Sequence, residues 1–347
     1  MRLGTAPPEA GSSTGASGRL VSLDVVRGLA VAAMLAVNNE GINPGHPAWL
    51  RHPPWNGFTV ADAVFPLFLF CIGISMTLSS RADRPFRDAA WPMVRRSLVL
   101  FSLGVALSAL KQHELVLAGV LQHIAVTSLL AWLVLRLPRR GQYAVGAAIL
   151  GGCAAVGLIG GFDQGSTIDR TIDLALFGRD TAEGLLVMVC SVVNVLAGAW
   201  VGPWFRGGDR RGITRRLALW SVAPLALGLA LAPLVPVNKR LWTPSYALVG
   251  IAVSAAVTLA AHWLCDVRGV RRGVGWLREL GANPLAVYVA CTALAALVPD
   301  EVRLAIVRWA SGPVPRPVAS VLWSAAWILL AWLIAHVLWR RRILVKL

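Results

Sequence analysis

Residues 51–80 read RHPPWNGFTVADAVFPLFLFCIGISMTLSS, a polar and aromatic loop that runs into an apolar stretch of membrane-helix length. His52 precedes Pro53 and Pro54, which stiffen the chain and keep it out of a helix interior, so the imidazole belongs at the membrane edge. Trp55, Asn56 and Gly57 follow. Asp62 then falls about one turn inside the apolar run from Phe58 to Leu78. An unpaired carboxylate there costs several kcal/mol, so this acid needs a partner.

The rest of the chain has the same character. Of 347 residues 56% are apolar and 14% charged, and fifteen are tryptophan, too apolar a balance for a water-soluble domain of this size. The expected fold is all-α: a polytopic membrane protein of about ten transmembrane helices in one bundle. The expected spans are 22–41, 58–80, 91–110, 114–136, 142–161, 183–202, 215–233, 243–265, 282–298 and 318–339. Residues 1–18, rich in Ala, Gly, Ser, Thr and Pro, are expected to be a disordered cytoplasmic tail, leaving 19–347 as the transmembrane domain.

Charge supports this division. With the N-terminus inside, the inner segments hold 24 of the 33 Lys and Arg, and the outer segments keep Arg51, Lys111, Arg170, Arg179, Lys239, Arg240, Arg303, Arg308 and Arg316. The positive-inside rule then puts both termini in the cytoplasm. The net charge of +16 is spread over short loops between apolar helices, which argues against nucleic acid and for the lipid bilayer as partner. Cys71, Cys153, Cys190, Cys265 and Cys291 lie in apolar segments without metal-ligand spacing; they read as small core residues, and no disulfide framework is suggested.

Polar residues inside the spans narrow the chemistry. Asp24 and Arg27 share a helix face, as a structural ion pair or as a holder of an anionic ligand. Asn38, Asn39 and Glu40 end the first span, where asparagines serve as caps or as a polar site. Gln122 and His123 stand several residues deep in the fourth, as helix-to-helix hydrogen bonds or as part of a ligand path. Asn238, Lys239, Arg240 and Trp242 form a cation-flanked aromatic site before the eighth span, an interfacial anchor or a means of orienting a polar substrate. The basic stretch 267–280 with Trp276 and Leu280 is expected on the cytoplasmic surface, and Asn283, Pro284 and Tyr288 open the ninth span. GxxxxGK[ST] and HExxH are absent, so phosphate-loop enzymes and that zinc-protease class are poor fits.

Five motifs in order, SLDVVRGLAVAAMLAVNN, RHPPWNGFTVADAVFPLFLFCIGIS, LAGVLQHIAV, VNKRLWTPSYAL and GANPLAVYV, resemble the transmembrane acyltransferase family that includes heparan-alpha-glucosaminide N-acetyltransferase and its bacterial relatives. The resemblance runs from about residue 19 through nearly the whole chain. It implies transfer of an acetyl group from cytoplasmic acetyl-CoA to a glucosamine-type or other glycan acceptor across a bacterial inner membrane, with no metal, and leaves a homodimer open. His52 matches the family's proposed active-site histidine in (R/K)HxxWNG, Asn38 the asparagine ending the preceding motif, and Asp62 the acid ten residues beyond the histidine. His123 departs from the arginine that often follows the family's LQ pair. The large lumenal domain of the animal enzyme, with its extra span, is expected to be missing.

Joined to the chemistry, the resemblance assigns roles. Acetyl transfer needs a base of near-neutral pKa and a donor for the oxyanion. His52 is expected either to move the proton in a direct transfer, the favoured reading, or to carry the acetyl group covalently; Asp62 orients it, and Asn38 or Asn56 donates to the oxyanion. Arg27, Gln122, His123, Asn283 and Tyr288 are the expected acetyl-CoA contacts, while Trp55, Asn56, Asn39, Asn238, Lys239 and Trp242 face the acceptor. The rival readings are a transporter or flippase using the same polar residues as a translocation path, and an envelope scaffold.

Overall fold

The computed structural model describes residues 2–5, 20–39, 47–79, 85–311 and 314–346. The chain folds into helices α1 (Val21–Asn38), α2 (Val60–Leu78), α3 (Phe86–Gln112), α4 (Val120–Val134), α5 (Arg139–Gly160), α6 (Ile168–Phe177), α7 (Leu185–Val201), α8 (Arg210–Leu231), α9 (Pro244–Ala261), α10 (Gly275–Ala282), α11 (Pro284–Ala296), α12 (Asp300–Ser311) and α13 (Arg316–Arg340). A two-stranded antiparallel ribbon pairs β1 (Arg2–Thr5) with β2 (Ile343–Lys346). The start of the expected disordered tail is thus a strand, because extended backbone finds its hydrogen bonds on a neighbouring segment. Residues 6–19 and Glu40 lie outside the described residues.

Among the described residues seven helical spans are long and apolar enough to cross a membrane, or eight if the bent pair α10–α11 counts as one. Ten helices lie at the ten expected places, but two of them fall short of that test. The 15 residues of α4 reach only about 22 Å, against a hydrocarbon core of about 30 Å. Four arginines, Arg210, Arg211, Arg215 and Arg216, crowd the first two turns of α8. At the ninth expected span α10 and α11 meet at 84°, with Asn283 at the bend and Pro284 opening α11.

The helices gather into two compact units. One comprises Met1–Arg51 and Val257–Leu347, the other His52–Ala256, with the division falling inside α9. In the first unit α1 packs on α10 through a reciprocal pair of glycines. A Cβ on Gly28 would stand 1.9 Å from the Leu277 carbonyl oxygen, and one on Gly281 1.8 Å from that of Asp24. The segment expected to lie on the membrane surface is therefore packed at α10, where Leu280 is fully buried. The second unit repeats the device: a Cβ on Gly73 of α2 would come within 1.9 Å of the Val195 carbonyl, and one on Gly198 of α7 within 2.0 Å of that of Phe70. Small residues let helix backbones touch where lipid offers no hydrophobic drive for association.

Cys71, Cys265 and Cys291 are buried and form no disulfide. Cys153 and Cys190, by contrast, form a disulfide between α5 and α7, a correction to the reading of all five as isolated core residues. A 37-residue separation that runs from the second half of α5 through two connections and the whole of α6 into the first half of α7 leaves no spacing signal in the sequence.

Candidate active site

Within the His52–Ala256 unit, Thr59 precedes α2 and sets its start. Its side chain and that of Asp62 form a capping box: Asp62 Oδ2 accepts from the Thr59 backbone N at 2.8 Å and from Thr59 Oγ1 at 3.1 Å. The second carboxylate oxygen is left for another partner. Asp62 Oδ1 lies 2.6 Å from His52 Nδ1. The acid is fully buried, whereas the His52 side chain is 38% exposed. A buried carboxylate thus fixes an accessible ring, and the partner that the apolar run demanded for Asp62 is His52.

The other ring nitrogen faces a cation. Lys239 Nζ is 2.9 Å from His52 Nε2. With Nδ1–H donated to Asp62, Nε2 carries a lone pair that accepts from the ammonium. Burial pushes the Lys239 pKa below the ordinary lysine value, opposed by the charges of Glu183 and Asp62.

Two connections are zipped together to make this arrangement. Gly57 N donates to the Val237 carbonyl at 2.8 Å, and Asn238 Nδ2 donates to Asn56 Oδ1 at 3.0 Å. Asn238 Oδ1 in turn accepts from Leu241 N at 3.0 Å. Asn238 is therefore a brace between the loops, and the exposed Asn56 keeps its amide N–H2 free to donate outward. Trp55 Nε1 donates to the Phe162 carbonyl at 2.6 Å, tying the His52 loop to the α5–α6 connection. Tyr246 Oη donates to the Asp62 carbonyl at 2.7 Å and holds the first turn of α2.

Trp242 is an interior residue, which corrects its reading as an interfacial anchor. It is 1% exposed with φ at 47°, a left-handed conformation uncommon for a bulky side chain. Its indole N–H donates to Asn194 Oδ1 at 3.0 Å, and its ring packs edge-on against Phe65 and Tyr246. The ring of His123 lies 5.4 Å away on the same indole.

His123 heads a second polar cluster in this unit. Its Nδ1 bonds Glu183, its Nε2 is 2.6 Å from Ser191 Oγ, and Ser191 Oγ is 3.0 Å from Thr127 Oγ1. His123, Ser191 and Thr127 are fully buried, so the cluster ties α4 to α7 inside the unit. Gln122 beside it donates to the Val116 carbonyl at 2.8 Å. The sequence reading missed Glu183, Thr127, Ser191, Asn194 and Tyr246. Thr127 alone carried a signal, one helical turn beyond His123 on the same face.

The remaining expected residues belong to the other unit. Arg27 bonds the fully buried Asp24 at 2.9 Å. Asn38 Nδ2 lies 3.5 Å from Tyr288 Oη, and Asn39 Nδ2 donates back to the Leu35 carbonyl at 3.0 Å. Asn283 is bound at both ends of its amide, to the Ile343 carbonyl at 2.9 Å and to Val345 N at 2.8 Å. Its role there is to hold β2 against the bend between α10 and α11.

Residues 19–164 match the family model described as heparan-alpha-glucosaminide N-acetyltransferase, catalytic. That stretch contains both His52 and Asp62. The chain is 25% identical to the human heparan-alpha-glucosaminide N-acetyltransferase over 414 aligned residues, covering 95% of this chain and 60% of the relative. To the mouse protein of that name it is 25% identical over 409, with the same coverage. The resemblance read from the five motifs is borne out, and the chain spans about 60% of the length of these relatives.

Proposed function

We propose, from the geometry of the dyad and from the family to which residues 19–164 are similar, that this chain is a membrane-embedded N-acetyltransferase. It moves an acetyl group from acetyl-CoA, admitted from the cytoplasm, to an amino sugar or related glycan on the far side of a bacterial inner membrane. In this reading the ten expected crossings leave both termini cytoplasmic. The observation that carries the proposal is the 2.6 Å bond from a fully buried Asp62 to an accessible His52.

The chemistry follows from that bond. Asp62 holds Nδ1 protonated, which leaves Nε2 as the base. The acceptor amine attacks the thioester carbonyl carbon, forming C–N, while His52 takes the proton from nitrogen. Collapse of the tetrahedral intermediate breaks C–S, and the imidazolium returns its proton to the leaving CoA thiolate. Negative charge on the carbonyl oxygen needs donors, and removing one such donor typically slows a reaction about 10²–10³-fold. Lys239, 2.9 Å from Nε2, and the amide of Asn56 are the proposed donors.

Membranes given labelled acetyl-CoA and a panel of glucosamine-containing acceptors test the reading. Wild type should label an acceptor, and His52→Ala should not while still binding acetyl-CoA. Acceptor flux without any CoA requirement would instead identify a transporter.

A further inference from the structure

Apart from the His52–Asp62 pair, the second unit holds a cavity of about 410 Å³ between α5, α7 and the connection that leads into α6. Its volume falls in the range of about 300–1,000 Å³ found for small-molecule pockets. The wall is mostly aliphatic, with Val145, Ile149, Val156, Leu186 and Val189, and the Cys153–Cys190 disulfide crosses it. One ionisable group stands in this wall. Asp169 is 7% exposed, and its Oδ1 is buried without a hydrogen-bond partner.

An oxygen in that state costs about 1–3 kcal/mol unless something meets it. Among the described residues no cation bonds this oxygen, and Arg240, whose charge opposes the rise in the Asp169 pKa, is engaged elsewhere. Arg240 is bonded to Asp180 at 2.8 Å, and Arg170 lies 3.7 Å from the same carboxylate. Burial, then the charges of Asp173 and Asp180, raise the Asp169 pKa to about 7 against the opposing charge of Arg240, so above neutrality the carboxylate is charged in surroundings that disfavour it, and a bound cation would relieve that cost. An anionic ligand would meet repulsion from three carboxylates. A neutral chain would fill the apolar wall but leave Oδ1 unmet.

We infer that this cavity binds an amphiphile carrying a single ammonium group, with the cation on Asp169 Oδ1 and the hydrocarbon tail along the α5–α7 wall. Room for the tail is visible at Gly152, where an added Cβ would meet nothing within 4 Å. The site also adjoins the dyad's supporting loops. Phe162, whose carbonyl holds Trp55, lines the cavity, as do Leu241 and Thr243 from the turn that carries Lys239. The inference goes beyond acetyl transfer and does not depend on it.

Calorimetry on the purified chain in micelles, at pH 8, compares dodecylamine with dodecanol at matched mole fractions. Wild type should bind the amine at least tenfold more tightly than the alcohol. Asp169→Asn should bring the two to within about threefold, and Gly152→Leu, which fills the cavity from α5 without touching the acid, should remove binding of both. An amine preference that is absent from wild type, that survives Asp169→Asn or that survives Gly152→Leu overturns the inference. The wild-type comparison stands even if a variant fails to fold. Acetyl-transfer assays play no part in the readout, so its failure and that of the proposed function are separate results.

Discussion

Asp62 grips His52 Nδ1 at 2.6 Å with one carboxylate oxygen and closes the start of its own helix with the other. One side chain thereby serves both the fold and the chemistry, and substitution separates the two. Asp62→Asn keeps an oxygen for the cap but loses the charge that stabilises imidazolium. Acetyl transfer should fall by about 10²–10⁴-fold with little change in melting temperature. Asp62→Ala should lose that activity and also about 1 kcal/mol of stability from the broken cap. Thermal melts beside acetyl-transfer rates check both. His52→Ala should abolish transfer and also lower the melting temperature, because it leaves one oxygen of the buried Asp62 carboxylate without its partner.

Lys239 governs the alkaline side of the rate profile. Its pKa is lowered by burial, so its ammonium is lost at a lower pH than an ordinary lysine's. If the charged form assists His52, kcat/KM declines as pH rises through that lowered value. Lys239→Arg keeps its charge at all accessible pH and should move the decline upward. Lys239→Gln should remove the decline and reduce the rate throughout. A profile identical in all three proteins would exclude the lysine from the reaction.

Asp169 makes stability depend on pH. Its folded pKa is raised from 3.8 to about 7, so the folded chain holds this proton where the unfolded chain has released it. The contribution is harmless below pH 4 and grows unfavourable as pH rises between about 4 and 7, reaching at most roughly 4 kcal/mol. Asp169→Asn should therefore melt above wild type at pH 8 and near it at pH 4. Melts of the two proteins across that range give the comparison.

Backbone contacts at glycine set the tolerance of the helix pairs. Gly28→Ala puts a methyl 1.9 Å from the Leu277 carbonyl oxygen, a backbone atom that cannot turn aside. We expect a loss of more than about 2 kcal/mol or failure to fold. Gly151→Ala, where an added Cβ meets nothing within 4 Å, should be neutral or gain up to about 1 kcal/mol from helix propensity. Melting temperatures of the two variants should move in opposite directions.

That Asp62 needs a partner was legible in its apolar surroundings, while His52 as that partner came from the family resemblance, which the 2.6 Å contact matches. Lys239 was legible as polar and near a membrane edge, but not as the neighbour of His52. The two lie 187 residues apart, and such a pairing follows from loop-to-loop hydrogen bonds without periodicity. Trp242 misled for a related reason: a tryptophan next to cations reads as interfacial, while its indole is drawn inward by Asn194, a residue buried in α7. The disulfide and the two-unit arrangement left no trace, since both arise from which helices become neighbours. Apolarity marked the helices well, but charge at the start of α8 and the shortness of α4 keep these two helices below the length and apolarity of the other spans.

The junction of the 52–57 loop with residues 237–238 has a bearing on biogenesis. A ribosome that has delivered His52 and Asp62 must insert some 180 further residues before Asn238 reaches Asn56. Until then the histidine loop lacks one whole side of its scaffold. Maturation of the proposed centre is thus a late event in synthesis, and chains halted before residue 237 should emerge with several helices in place and without acetyl transfer.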